Sequence, residues 1–486
     1  MGFVLTIIYI VVTIISPEQF GKDWATYHAL MYLAGITFLA SLPSLAESRY
    51  WKSIQLFLLI GLIIAIGLSQ LLNGWLGGVL EGWRAFLPSA AVFFFIVVNV
   101  TTPQRLKIAT LAAVASCLIV AVEALCGYYA GFQGEMFILR TNVYSPQEDV
   151  IGQLIRLRGA GFLSDPNDLA QILLIALPLI FIAWQKKHMI ANFFFVLAPV
   201  AILLWCTYLT HSRGGLIALA AVTLMAARKK LGTTASTIVA VTFVFGMLAL
   251  DFTGGRGISA SDGADRLEAW ASGLEMFKSS PLYGVGFNNF ADIFGITAHN
   301  SFVLCLAELG LLGSTLWMAL LVTTTISLNR IIGGRKPRLS KLFGFVPIFE
   351  SRYIGTAGAL HSAVALSAPG IMAMSEVNTG ERAVTIEAAS AAENEIPIEL
   401  HSSPVVPMQW IEVIRLALIS FMATAWFLSR SYTTTMYLVL GLATAAIALE
   451  ESDSKTTDRG HWIFLSVAAE VVLVVLIYFL VRLRHP

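Results

Sequence analysis

AHNSFVLCLAELGLLG, residues 298–313, joins the two kinds of segment from which this chain is built. Upstream lies a polar, glycine-containing loop over residues 252–299, which is too polar to cross a bilayer. Downstream the chain stays apolar to about residue 328, long enough for a membrane span. The stretch therefore predicts a loop outside the membrane, followed by a transmembrane helix that begins beside His299.

The composition extends this interpretation to the whole chain. Of its 486 residues, 57% are hydrophobic and only 13% are charged, and the mean hydropathy is +0.77. These values exclude an ordinary soluble protein and predict a polytopic membrane protein, and its apolar runs make it all-α with about 12–13 transmembrane helices. The formal net charge of +1 gives no indication of nucleic-acid binding.

Apolar runs place the predicted spans. The opening run, 2–16, lacks a basic region and a small-residue cleavage site, so it predicts a first span rather than a signal peptide. The other runs lie at about 27–45, 54–72, 85–100, 108–130, 167–184, 190–209, 214–227, 233–251, 300–328, 411–428, 432–449 and 461–481.

Basic residues in the short loops predict the orientation. The loops that share one side carry Arg105, Lys107, Lys186, Lys187, Arg228, Lys229, Lys230, Arg330, Arg335, Lys336, Arg338 and Lys341. The positive-inside rule makes that side cytoplasmic. The loop 252–299, the segment 131–165 and His211 then share the outer side. If the last run, 461–481, also crosses the membrane in this orientation, Arg482 and Arg484 lie outside, against the positive-inside rule.

The predicted organisation has three parts. Residues 1–333 form a transmembrane core that includes the outer loop 252–299. Residues 334–409 are rich in Pro, Ser, Ala and Glu without a sustained apolar period, and they predict a partly disordered cytoplasmic insertion. The weakly apolar run 354–374 is assigned to that insertion because it would insert poorly into lipid. Residues 410–486 form C-terminal transmembrane helices.

Two arginines are predicted at helix starts on the outer side. Arg213 precedes Gly214-Gly215 at the start of a span, and Arg266 falls in the first turn of an amphipathic helix predicted over 263–278. A cation there opposes the helix dipole by a few tenths to about 1 kcal/mol, which a bound anion such as phosphate would offset. The alternatives are an Arg213 that reaches the lipid headgroups and an Asp262 to Arg266 pair.

His299 also stands at a predicted helix start. The helix dipole disfavours imidazolium there, so the ring should be neutral and able to accept a proton, although a structural role stays open. Glu308 lies nine residues on, on the opposite side of the helix, and should pair with another helix. A groove for a neighbouring helix or a lipid tail is predicted along Phe302, Val303, Leu306, Gly310 and Gly313.

A third outer segment carries Arg156 and Arg158, which could reach an anionic ligand. It leads into Asp165 and Pro166, an N-cap and first residue that predict an ordinary helix start. The eight histidines include no H-E-x-x-H pattern, so neither a metal nor a cofactor is predicted. The cysteines lie in apolar runs and are predicted to be core thiols: Cys117, Cys126, Cys206 and Cys305.

Taken together, these motifs resemble the O-antigen ligase and polymerase superfamily, bacterial inner-membrane enzymes that act on polyprenyl-diphosphate-linked glycans. The resemblance covers about residues 155–330. It rests on Ser212-Arg213-Gly214-Gly215, Arg266 with Trp270, Pro281 with Gly284-Val285-Gly286-Phe287-Asn288-Asn289-Phe290, and Ala298-His299-Asn300-Ser301 with Glu308-Leu309-Gly310-Leu311-Leu312-Gly313.

The resemblance implies a helical bundle like that of the C-type glycosyltransferases, without a metal or a nucleotide sugar, acting at the periplasmic face. It implies that Arg213 and Arg266 hold the donor diphosphate and that His299 activates an acceptor hydroxyl. Among the matching and neighbouring residues, those expected to bind substrate are Arg158, Ser212, Gly214, Trp270 and Asn300.

The expected reaction is an inverting transfer of a glycan to a lipid, glycan or protein acceptor, as in an O-antigen ligase. A repeat-unit polymerase and a protein O-oligosaccharyltransferase share the same motifs and remain alternatives. A transporter is less favoured because the sequence shows neither a repeat of two halves nor paired broken helices.

Overall fold

The computed structural model describes residues 1–17, 29–45, 53–144, 150–249, 252, 260–333, 406–450 and 461–482. The predictions for the insertion 334–409, including the run 354–374, fall almost entirely outside these residues, as do those for Arg484 and for the start of the outer loop.

Fifteen α-helices and one hairpin are described. In the first half of the chain they are α1 (Gly2–Ile15), α2 (Ala29–Leu45), α3 (Ile54–Leu72), α4 (Leu76–Asn99), α5 (Pro103–Ala130), β1 (Ile138–Tyr144), β2 (Val150–Leu157), α6 (Pro166–Leu179), α7 (Met189–Asn192) and α8 (Ala198–Leu209). In the second half they are α9 (Arg213–Ala249), α10 (Ala260–Ser279), α11 (Phe290–Phe294), α12 (Ser301–Gly333), α13 (Met408–Ala425), α14 (Thr434–Glu450) and α15 (His461–Arg482).

The chain is an all-α polytopic membrane protein, as predicted. Within the described ranges, nine helices are long and apolar enough to cross a membrane: Ile54–Leu72, Leu76–Asn99, Pro103–Ala130, Pro166–Ala183, Met189–Leu209, Lys230–Ala249, Ser301–Gly333, Met408–Ala425 and Trp462–Arg482. Three shorter apolar helices accompany them: Gly2–Ile15, Ala29–Leu45 and Thr434–Glu450.

Two of the long helices are interrupted. Gly232 has a φ of 76° and divides α9 where the sequence predicts two spans with a basic turn between them. Gly310 has a φ of 57° and divides α12 within the span predicted over 300–328. The apolar pattern runs through Gly310 without a break, so the sequence gives no sign of this interruption. Only the backbone conformation, which glycine adopts without a steric cost, reveals the interruption.

The hairpin stands between α5 and α6. Strands β1 and β2 pair antiparallel, with Ile138 opposite Leu157, in the segment predicted only as a polar outer loop. An exposed ion pair at 2.9 Å joins Arg140 on β1 to Glu135 in the preceding turn. The hairpin brings the end of β2 to the start of α6, which is one side of the candidate site.

The cysteines are free, as predicted, but their burial differs. Cys117, Cys206 and Cys305 are buried, which confirms core positions, whereas Cys126 is exposed on α5. The prediction was wrong for Cys126 because an apolar run does not show which side of a helix faces the lipid.

Candidate functional site

Helices α6 and α9 begin side by side. Asp165 caps α6 by accepting the backbone N–H of Asn167 at 2.7 Å, which confirms the predicted helix start. Ser212 caps α9 by accepting the N–H of Gly215 at 3.1 Å, and its hydroxyl donates to Asn167 Oδ1 at 2.8 Å. The buried guanidinium of Arg156 donates to the same oxygen at 3.2 Å. Two helix N-termini, each with its partial positive charge, therefore meet here.

The third helix start belongs to α12. Asn300 is fully buried, and its Oδ1 accepts the N–H groups of Phe302 at 2.9 Å and Val303 at 3.1 Å. This cap fixes the residue before it, His299, whose φ of 50° lies in the left-handed region. Non-glycine residues rarely adopt this backbone conformation, and those that do cluster at functional sites.

A segment after α13 joins the three helix starts. The Ser301 hydroxyl donates to the carbonyl of Leu428 and accepts the N–H of Arg430 at 2.8 Å, while the Ser431 hydroxyl donates to the Ser301 carbonyl at 2.7 Å. The Arg430 guanidinium makes a two-pronged ion pair with the carboxylate of Asp168 in the first turn of α6. Arg430 thus links α6 to α12.

The electrostatics of His299 follow from this assembly. The ring is half-buried. Burial lowers the pKa of His299, the nearby guanidinium groups of Arg266 and Arg430 lower it further, and only Asp165 opposes them. This direction agrees with the predicted neutral imidazole and adds causes beyond the helix dipole. It also places Arg266 and His299 within electrostatic reach of one another.

The amphipathic helix of the outer loop carries Arg266 to this place. It runs as α10 to Ser279, close to the predicted end, but begins at Ala260, three residues earlier than predicted. Arg266 therefore lies in the second turn and not the first, so the argument from the helix dipole does not apply to it. The indole of Trp270 donates to the carbonyl of Ala298 at 3.0 Å and ties α10 to the residue before His299.

Arg213 is the first residue of α9 and is half-buried. The two glycines after it allow close helix packing. A Cβ on Gly214 would lie 3.0 Å from Cβ of Phe427, and one on Gly215 would lie 3.3 Å from Cβ of Ala170. The Phe427 contact brings the segment after α13 against the start of α9, so Arg213, Arg430 and Ser212 belong to the same end of the bundle.

Arg158, by contrast, contacts the turn before the hairpin. Its guanidinium donates to the carbonyl of Met136 at 2.9 Å and to that of Glu135 at 3.3 Å. The structure therefore brings His299, Asn300, Trp270, Arg266, Arg213, Ser212 and Gly214 to one end of the bundle, whereas the guanidinium of Arg158 contacts the backbone of the turn.

The break in α12 is filled by the loop before α11. The N–H groups of Val285 and Gly286 donate to the carbonyls of Ala307 and Glu308, at 2.9 and 3.1 Å. A Cβ on Gly284 would lie 2.3 Å from the Glu308 carbonyl, and one on Gly310 would lie 2.6 Å from the Gly284 nitrogen. The two glycines therefore interlock, and any side chain at either would separate the loop from the helix.

Glu308 holds the same loop through its side chain. Its carboxylate accepts the N–H of Phe290, the first residue of α11, at 3.2 Å. The predicted groove along α12 is divided by this break. Val303 and Leu306 pack against α10, as expected for a neighbouring helix, whereas a straight continuation to Gly313 is wrong because the helix changes direction at Gly310.

An apolar cavity lies near the start of α9. It has a volume of about 400 Å³ and is lined by Leu204, Trp205 and Tyr208 of α8 and by Met247 of α9, among others. The Tyr208 ring lies 5.6 Å, centre to centre, from the ring of His211, two residues before Arg213. Apolar space therefore adjoins the charged end of the bundle.

The charged groups around His299 favour an anionic ligand over a metal ion. In the part of the chain that the structure describes, no three His, Cys, Asp or Glu side chains are grouped so that they could hold a metal ion. The charged groups near His299 are two guanidinium groups and the Asp165 carboxylate. Such a set suits a phosphate or diphosphate better than a cation.

Residues 198–318 match the family model described as O-antigen ligase. This O-antigen ligase region covers about a quarter of the chain. The match includes Arg213, Arg266, His299 and Glu308, and it confirms the resemblance predicted from the motifs. A search of curated proteins found no match.

The O-antigen ligase region does not contain every residue of the cluster. Asp165 and Asp168 precede it, and Arg430 follows it by more than a hundred residues. The sequence predicted only an ordinary helix start at Asp165 and gave no functional role to Asp168 or Arg430. A signal for Arg430 was available, because it lies in the short loop between the predicted spans 411–428 and 432–449. That loop is on the predicted outer side, where the positive-inside rule disfavours an arginine.

Proposed function

We propose that this protein transfers a glycan from a polyprenyl-diphosphate donor to an acceptor hydroxyl, at the periplasmic face of a bacterial inner membrane. The family match supports a membrane glycosyltransferase-like enzyme with lipid and glycan substrates. The observation that carries the finer proposal is the meeting of three helix N-termini with Arg213, Arg266 and His299 at one end of the bundle.

The donor diphosphate binds at these helix starts. Its charge is stabilised by the guanidinium groups of Arg213 and Arg266 and by the N-terminal ends of the helices. The apolar cavity beside α8 offers room for part of the prenyl chain next to that charge. Ser212, Gly214, Trp270 and Asn300 shape the site by capping α9 and α12 and by packing the elements that carry the reacting groups.

The reaction is a single displacement. The acceptor oxygen forms a bond to the anomeric carbon of the glycan while the bond from that carbon to the diphosphate oxygen breaks. Neutral His299 takes the acceptor proton, and the bonding electrons leave with the polyprenyl diphosphate, whose negative charge the arginines stabilise. One displacement inverts the anomeric configuration. Guanidinium groups supply the charge stabilisation, so the transfer needs no metal ion.

The test uses the purified full-length protein in lipid nanodiscs with EDTA, a polyprenyl-diphosphate glycan and separate acceptors: lipid A core, a glycan and a protein. NMR of the product reports the anomeric configuration. We expect transfer with inversion to one acceptor class, which also separates ligase from polymerase and protein glycosylation. Retention of configuration, or dependence on added metal, would contradict the mechanism.

The same protein in sealed vesicles tests the transporter alternative. Donor that crosses the bilayer while none of the three acceptors is glycosylated would support a transporter and reject the proposed transfer. The Arg140→Gln variant is a matched control for both assays, because it breaks an exposed ion pair between two side chains that have no part in the proposed mechanism.

A further inference from the structure

The segment after α13 is one part of the site that lies outside the O-antigen ligase match, and several hydrogen bonds connect it to its neighbours. Three hydrogen bonds connect residues 428–431 with Ser301, the first residue of α12. A fourth runs from the Trp317 indole, further along α12, to the Ser431 carbonyl at 2.9 Å. Movement of this segment would therefore move the helix start that carries His299.

The side chain of Arg430 then extends this connection to α6. Asp168 is 4% exposed, and both of its carboxylate oxygens accept from the Arg430 guanidinium. A buried carboxylate is costly unless it is paired, so the geometry of the arginine is strongly fixed. Next to Asp168, Asn167 accepts from Ser212 at the start of α9. One ion pair thus connects all three helix starts.

The charges in this connection also act on His299. The groups that face its ring are Arg266 from α10, Asp165 from the start of α6, and Arg430 from the segment after α13. Asp168 partly neutralises Arg430. If Asp168 lost its charge, the field of Arg430 at His299 would grow, whereas loss of Arg430 would remove a cation from the surroundings of the ring.

We propose that Arg430, held by Asp168, is a positioning residue for His299: the ion pair fixes the start of α12 against α6 and sets the positive charge that the imidazole experiences. This inference rests on the proposed function, in which His299 accepts the acceptor proton. Neither residue touches the reacting atoms in this account. Both act through the orientation and the charge state of His299.

The experiment compares two variants that break the same ion pair. The full-length protein, with isotopically labelled histidine, is studied in nanodiscs as wild type, Arg430→Gln, Asp168→Asn and Arg140→Gln, and the pKa of His299 is measured by NMR. His299→Gln identifies the resonance. Arg140 and Glu135 form an exposed pair at 2.9 Å, so Arg140→Gln controls for the loss of an ion pair elsewhere.

The expected shifts have opposite signs. Arg430→Gln should raise the pKa of His299 and Asp168→Asn should lower it, each by about half a unit to one unit, because the first removes a cation and the second frees one. Arg140→Gln should leave it unchanged. If the ion pair only held the helices together, both variants would change the pKa of His299 in the same way. Shifts of equal sign, or no shift in either variant, would therefore overturn the proposal.

A charge-retaining variant covers the case in which Arg430→Gln does not fold. Arg430→Lys keeps the cation but loses the planar fork that matches a carboxylate. It should keep the pKa of His299 within a few tenths of a unit of wild type while it lowers kcat of the transfer about tenfold or more. Asp168→Asn decides the sign in that case: an unchanged or raised pKa of His299 would overturn the proposal.

Failure of this inference differs from failure of the proposed function. If wild type transfers no glycan but the two variants still shift the His299 pKa in opposite directions, the proposed function fails and the connection stands. If transfer requires His299 but its pKa does not respond to Arg430 or Asp168, the proposed function stands and the positioning role is rejected.

Discussion

Two of the polar clusters in the described part of the chain, one around His299 and one around Glu470, are built differently. Around His299, three helix starts bring cations and carboxylates together at a half-buried surface. Around Glu470, which is 4% exposed on α15, the carboxylate accepts from the hydroxyls of Ser314 and Thr315 just beyond the break in α12.

The difference between the clusters concerns what each can do. Hydroxyl partners satisfy Glu470 from within the protein and join α15 to α12, so this cluster serves packing. The cluster around His299 combines several positive ends with a partly open surface, which a charged ligand can reach. If this distinction is right, substitutions around Glu470 affect stability and those around His299 affect transfer.

The largest expected effect comes from the proton acceptor. His299→Ala should reduce kcat of the transfer by roughly 10²–10⁴-fold, since that is the usual contribution of a general base. The melting temperature of the protein should change little, because the cap of α12 is provided by Asn300. Transfer assays and thermal unfolding of the same preparation check both points, and a comparable loss of transfer in Glu470→Gln would erase the distinction between the clusters.

Donor affinity should depend on the two arginines of the O-antigen ligase region. Arg213→Ala and Arg266→Ala should each weaken binding of the polyprenyl-diphosphate glycan by roughly 10–100-fold, the usual value of about 1.5–3 kcal/mol for hydrogen bonds to a charged group. Binding to the protein in nanodiscs is measured by titration. Arg140→Ala serves as the surface control, and an equal loss of affinity in that variant would show that general charge, not the site, holds the donor.

The pH dependence of transfer sharpens the role assigned to His299. Only the neutral ring accepts a proton, and burial together with Arg266 lowers the pKa of His299 from its ordinary 6.5. Transfer should therefore stay constant as the pH falls to that value and decline only below it. Arg266→Gln should move the decline to higher pH. A profile that is flat through the acid range, or a shift to lower pH in Arg266→Gln, would contradict this account.

The smallest effect on transfer is expected in the packing cluster. Glu470→Gln keeps an oxygen that can accept one hydroxyl and loses the other bond, which should cost about 1 kcal/mol of stability. Transfer by the folded protein should stay within about twofold of wild type. Thermal unfolding and initial rates measure the two quantities, with Glu470→Ala as the harsher comparison.

The sequence predicted those parts of the site that depend on local signals. Asp165 and Pro166 mark a helix start by their chemistry alone, and the apolar spacing around Trp270 marks α10. His299 follows from the boundary between the polar loop and the apolar run. Each of these can be recognised within about ten residues, which is why they agree with the structure.

Other features depend on contacts between distant residues, which the sequence does not display. Arg430 is 262 positions from Asp168, and its pairing becomes visible only once α6, α12 and α13 are assembled. The break at Gly310 exists because the Gly284 loop occupies it. Arg158 has the residue type of a ligand-binding group, yet its guanidinium contacts two backbone carbonyls beside the hairpin.

The most direct test of the proposed division of roles measures donor binding and glycan transfer in the same EDTA-treated samples. We predict that His299→Ala binds the polyprenyl-diphosphate glycan within about threefold of wild type but transfers it roughly 10²–10⁴-fold more slowly, whereas Arg266→Ala weakens binding roughly 10–100-fold. Transfer that persists at the wild-type rate in His299→Ala would contradict the central claim that this histidine accepts the proton of the acceptor.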